Sequence, residues 1–150
     1  VVLATVSLTR ADDLRPPKDP EVLVALAQSL EIEHARVDLL IEQGKIEEAI
    51  TALDELRAQR WPDPELGGDA SILLKHDCYG RLIRLRLDYP EIRPMAADAM
   101  LGAIDEALGA DAQRLPNNIY TARLYGLRGE VLELLKRDDD ALAEYEHALA

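Results

Sequence analysis

Apolar residues recur three and four positions apart along most of this chain, the period of helices that bury one face. From Pro20 to about Gln43 the buried stripe is Val22, Leu26, Leu30, Val37, Leu40 and Ile41. Asp19 offers a cap at its start, Pro20 suits the first turn, and Gly44 ends it. A second helix follows from about Lys45 to Arg60, with Ile46, Ala49, Ile50, Leu53 and Leu56 on one face and Glu47, Glu48, Asp54 and Glu55 on the other. Trp61-Pro62-Asp63-Pro64 stops it; Gly67-Gly68 reads as a flexible joint and Asp69 as the cap of a third helix, about Ala70 to Tyr89. That helix is apolar on more than one side and should be central. Pro90 and Pro94 bracket a turn into a fourth helix marked by Met95, Ala99, Met100, Ala103, Ile104, Ala107 and Leu108. Pro116-Asn117-Asn118 opens a fifth, to about Lys136, and a sixth runs to the end without a stop signal, so continuation into further repeats or a cap is expected.

The helices pair into three hairpins, and two of these echo each other. Gly129, Ala141, Tyr145 and Ala148 are separated by 12, 4 and 3 residues, as are Val37, Ala49, Leu53 and Leu56. The C-terminal hairpin, Leu127-Arg128-Gly129-Glu130-Val131-Leu132 followed by Ala141 to Leu149, resembles a tetratricopeptide repeat in the order and spacing of its small and large residues. In the first hairpin Val37 replaces the usual small residue and Leu56 the second alanine. The middle hairpin departs further: Gly80 lies 43 residues after Val37 and 49 before Gly129, against a family period of about 34. The resemblance covers about residues 20 to 150 and implies an all-α solenoid of three antiparallel hairpins in a right-handed superhelix. It further implies that Gly129 lets two helices approach closely and that Tyr145 wedges between hairpins. Residues 1–18, an apolar start and a stiff Pro-rich linker, then precede a repeat domain over 19–150.

Charge narrows the function. A net charge of -12 over 150 residues opposes nucleic acid and anionic membrane surfaces, because each phosphate contact needs a Lys or Arg. A basic or mixed-charge protein partner fits better. Cys78 is the only cysteine, so neither an intrachain disulfide nor a cysteine-based zinc site is available, and its apolar setting reads as a small buried hydrophobe. Val1 to Leu8 is apolar but far short of the roughly 20 residues a span requires. It reads equally as the remnant of an anchor or signal, which leans toward a membrane-associated or extracytoplasmic setting, and as a short arm packing on a neighbour.

Two Glu-x-x-His elements, Glu31 to His34 and Glu144 to His147, have the spacing of di-iron bundle ligands. Such a site requires a Glu-bearing helix before the first element, whereas only the Pro-rich segment precedes it, and inward Tyr145 and Ala148 would turn Glu144 and His147 to solvent. His76, Asp77 and Cys78 are sequence neighbours on a helix and point apart. No Gly-rich phosphate loop, nucleophile elbow or His-Glu-x-x-His is present, so no catalytic residue, metal or cofactor is expected.

The functional expectation is a scaffold or adaptor, with a metal-binding bundle and a homo-oligomerisation module as alternatives. Its partner's peptide or helix would lie in a groove lined by first helices, as the resemblance implies. By repeat register the groove takes Glu31, His34, Asp38, Ile41 and Glu42 from the first helix. Asp77, Arg81 and Arg84 come from the third, and Arg123, Glu130 and Glu133 from the fifth. Some members of that family clamp a terminal carboxylate with Lys and Asn on this face, a set these positions do not reproduce. The competing reading is that the arginines pair only with neighbouring carboxylates.

Overall fold

The computed structural model describes residues 13–150, and these form an all-α structure. The helices are α1 (Pro20–Glu42), α2 (Ile46–Ala58), α3 (Pro64–Asp88), α4 (Ala97–Leu108), α5 (Ile119–Leu134) and α6 (Asp138–Leu149). A short 3-10 turn, Ala112–Arg114, precedes α5. The starts follow side-chain chemistry: Asp19 accepts from the Glu21 amide, Asp63 from Glu65 and Asn118 from Thr121, each satisfying an otherwise orphaned donor. The apolar stretch Val1 to Leu8 lies outside the described residues.

Packing is sequential. α1 lies against α2 and α3, α3 also against α2, α4 and α5, and α5 also against α4 and α6. α3 serves three hydrophobic clusters because its apolar residues are spread around its axis. Cys78, Leu82 and Leu85 join α1 and α2; Tyr79 and Ile83 join α4 and α5; Ile72 and Leu73 meet Leu115 and Leu14. Leu82 and Ile83 are fully buried, each stabilising the fold by about 2–3 kcal/mol.

The two echoing hairpins have the same turn. In the first, the amides of Gln43, Gly44 and Lys45 donate to Leu39, Ile41 and Leu40; in the last, those of Leu135, Lys136 and Arg137 donate to Val131, Glu133 and Leu132. Every donor and acceptor lies 92 positions after its counterpart, the offset that also relates Val37 to Gly129 and Ala49 to Ala141. Val37, Ala49 and Ala141 are buried. A Cβ on Gly129 would stand 2.5 Å from the Tyr145 ring, so the glycine makes room for that ring within its own hairpin.

The start of α3 differs from the sequence reading. Asp63, not Asp69, is the cap, and Gly68 is a kink inside the helix, with φ 71 and ψ -178. The Pro-rich segment crosses at this kink: the Asp69 amide donates to the Arg15 carbonyl at 3.0 Å, and the Arg15 amide returns to Asp69 Oδ2 at 2.8 Å. Asp69 is buried and also holds the Arg15 and Arg114 guanidinium groups at 3.2 and 2.8 Å. Burial would raise its carboxyl pKa, but the Arg15 amide and both arginines together hold it below the usual range. The segment read as a linker is thus strapped onto α3, with Leu14 in an apolar cluster.

Candidate functional site

α1, α3 and α5 place charged side chains on a common seam because each presents its positions three and four apart toward its neighbour. Asp77 is central: Arg81 Nε approaches it at 3.3 Å and Arg123 Nη1 at 3.8 Å, and His34 Nδ1 stands 3.9 Å away. Arg81 also reaches Asp38 of α1 at 3.6 Å. One turn further along α3, Arg84 bonds Glu130 of α5 at 2.8 Å and Asp88 at 3.0 Å. The Glu130 hydrogen bond is the main reason the Arg84 guanidinium is held above its ordinary pKa, against desolvation. The expected arginine–carboxylate pairing is therefore present at Arg81, Arg84 and Arg123. Half-exposed pairs of this kind contribute about 0–1 kcal/mol each, so they orient side chains more than they stabilise the fold.

Beside this ladder lies a cavity of about 410 Å3. Val37, Ile41, Leu53, Leu85 and Tyr89 supply its apolar walls, and Asp38, Arg81, Arg84, Asp88 and Arg123 its polar ones. Of the residues expected to border a groove, Asp38, Ile41, Arg81, Arg84 and Arg123 meet at this cavity. Glu31 and Glu42 are exposed on α1, outside the ion pairs of the seam. Glu130 and Glu133 border a second cavity at the far ends of α3 and α5, and Glu133 accepts from the Tyr145 hydroxyl at 3.0 Å.

His34 corrects the sequence reading. Its exposure is only 7%, so it belongs to the α1 core stripe with Leu26, Leu30 and Val37 and not to an open groove surface. Burial first, then the Arg81 charge, lowers its pKa. Its Nε2 is buried without a hydrogen-bond partner. The signal was in the sequence: positions 26, 30, 34 and 37 follow one helical stripe. Leu53, Leu85, Asp88 and Tyr89 were not anticipated as lining residues. They sit on α2 and at the end of α3, and only the packing of α1 on both brings them together.

The Glu-x-x-His elements do not converge. His34 faces Asp77 across the α1–α3 seam, whereas His147 is exposed and stacks on Tyr125 with ring centroids 3.9 Å apart. Glu144, expected to face solvent, is partly buried and stands 3.9 Å from Arg128. Among the described residues no group of three or more His, Cys, Asp and Glu is placed to hold a metal ion. His76, Asp77 and Cys78 diverge as expected. His76 bonds Thr121 and the Ala107 carbonyl, and Cys78 is buried, its thiol pushed up to about 12 chiefly by desolvation. No helix among the described residues is long and apolar enough to cross a membrane. Comparison with protein-family models, curated proteins and solved structures gives no match for this chain.

Proposed function

We propose that this chain is a non-enzymatic binding module: a solenoid of three antiparallel hairpins, similar to tetratricopeptide repeats, whose α1, α3 and α5 face holds a peptide or helix of another protein. The observation that carries this reading is the 410 Å3 cavity on that face, where apolar walls adjoin three arginines and two aspartates. Such a combination suits a segment that inserts an aliphatic or aromatic side chain and reads register through charge. The sequential packing of α1 on α3 and α3 on α5, together with the shared turn of the first and last hairpins, supports the repeat architecture. Partners of mixed or basic charge match a chain of net charge -12. In this reading the chain carries out no turnover and needs neither metal nor cofactor.

Affinity capture from the source cells with wild type and with Ile41→Glu combined with Arg123→Glu tests the proposal. A partner recovered at least about tenfold less by the variant is expected, with an unchanged helical circular dichroism spectrum, since placing a carboxylate on the apolar wall and reversing a charge cost about 1–3 kcal/mol. Equal recovery by both proteins would place binding elsewhere. A second reading, self-association, is favoured by the apolar residues Ile119, Leu142 and Leu149 exposed at the α5–α6 end. Sedimentation velocity over a hundredfold concentration range decides it, with a constant monomer value counting against it.

A further inference from the structure

The cavity at the far ends of α3 and α5 is chemically different from the one beside α1. It measures about 380 Å3, at the small end of the range of ligand sites. Leu87, Ile92, Met95, Met100 and Leu134 make its apolar wall. Its charged residues are Arg84, Arg86, Arg93 and Lys136 against Glu130 and Glu133, a cationic excess in a strongly acidic chain.

Two of these cations are already neutralised: Arg84 by Glu130 and Asp88, and Arg86 by Asp54 at 2.6 Å. Arg86 is only 8% exposed, yet its buried Nε lacks a hydrogen-bond partner. The other two, Arg93 and Lys136, form no ion pair among the described residues. Arg93 bonds the Thr51 hydroxyl, a neutral group.

Backbone conformation singles out the same pair. Arg93 at φ 46 and Lys136 at φ 60 are the non-glycine residues in the left-handed region among the described residues. Such residues are disfavoured there, and glycine is the ordinary choice at the end of a helix. The first hairpin follows that rule, with Gly44 at φ 75 in the turn equivalent to that of Lys136. At two separate points the chain therefore puts an unpaired cation where glycine would fold more easily, and both border one cavity. Ends of helices favour cations through the helix dipole; that effect acts at every such end and does not account for Lys136 where its counterpart is Gly44.

The geometry points to a binding site for a small amphipathic oxyanion, a carboxylate or phosphate carried on a short apolar body. The anionic group is met by Arg93 and Lys136, and the apolar body rests against Met95, Met100 and Leu134. This site shares only Arg84 with the lining of the 410 Å3 cavity and does not rest on the partner-binding reading.

Titration of hexanoate, hexyl phosphate and inorganic phosphate into the 15N-labelled chain, followed by amide chemical shifts, tests the site. Saturable shifts confined to residues 84–96 and 130–136 are expected with hexanoate or hexyl phosphate, and the stronger of the two identifies the headgroup. Inorganic phosphate should bind more weakly than hexyl phosphate; equal affinity would overturn the amphipathic class. Lys136→Gly should weaken binding at least about fivefold while raising Tm by about 2–4 °C, and Lys136→Arg should retain binding. The proposal is overturned by an absence of localised shifts with all three probes, or by undiminished binding in the Lys136→Gly, Arg93→Gly double variant.

Discussion

Replacing Gly68 by alanine is expected to lower the unfolding free energy by about 2–4 kcal/mol. Both backbone and space forbid it. At φ 71 and ψ -178 the residue occupies a region open essentially to glycine alone. An added Cβ would also stand 2.6 Å from Pro17 N, 2.8 Å from the Arg15 carbonyl oxygen and 2.9 Å from Pro16 C. These are main-chain atoms and cannot swing aside. The strap must lift, which removes the paired hydrogen bonds between Arg15 and Asp69 and exposes Leu14. Gly44→Ala is the control: its φ of 75 makes alanine unfavourable, but nothing lies within 4 Å of the new Cβ, so the cost is about 1 kcal/mol. Urea denaturation of both variants checks the contrast. A loss below 1 kcal/mol for Gly68→Ala would mean that the strap does not cross α3 at this point.

Acid should weaken the fold by about 3 kcal/mol between pH 6.5 and pH 4 through His76 alone. This ring is fully buried and joins three helices: Nε2 lies 3.0 Å from the Ala107 carbonyl and Nδ1 2.8 Å from the Thr121 hydroxyl. A carbonyl only accepts, so Nε2 carries the proton and Nδ1 accepts from Thr121. Thr121 in turn accepts from the Asn118 amide at 2.9 Å. Protonating Nδ1 would break this chain of bonds and place a charge among apolar groups. Desolvation therefore lowers the His76 pKa from 6.5 to about 4. Because the unfolded chain takes up this proton at higher pH than the folded one, the stabilisation is complete above pH 6.5 and lost as pH falls toward 4. His34, also lowered by burial, acts in the same direction. Asp69 stabilises the fold above the unfolded carboxylate pKa, and because its folded pKa is depressed this stabilisation is lost as pH falls through the ordinary carboxylate range, at the acid end of the His76 window. Denaturant melts at pH 7, 6, 5 and 4.5 should show the decline in wild type and a shallower one in His76→Leu, whose starting stability is lower. Parallel curves would show that His76 does not hold a neutral, buried ring.

Local chemistry made the helices legible. Asp19-Pro20, Gly44 and Asn118 act on their own backbone neighbourhoods, so their roles survive in any tertiary context. Part of the ladder along α3 was legible for the same reason: Asp77, Arg81 and Arg84 follow the helical period of three and four, whereas Asp88, which Arg84 also holds, was not anticipated. Gly67-Gly68 misled because two glycines read equally as a flexible joint or as a place of close approach. The Arg15 backbone that makes the difference lies more than fifty residues away in sequence. His34 was assigned to the groove by repeat register, although its place in the Leu26, Leu30, Val37 stripe marked it as buried. The pocket around Arg93 and Lys136 was out of reach, since it forms only when the segment between α3 and α4 folds back beside the end of α5.

In the proposed binding module the α1, α3 and α5 face, and not the surface of α2 and α4, meets the protein partner. Photo-crosslinking in the source cells tests it most directly, with a photoreactive residue placed in separate variants at Asp38, at Arg123, at Glu48 of α2 and at Asp98 of α4. All four side chains are exposed in the chain alone, so differences report contact and not access. The same protein adduct is expected from positions 38 and 123 and none from 48 and 98. An adduct confined to 48 or 98, or none from 38 and 123 in cells where the chain is in complex, would contradict it.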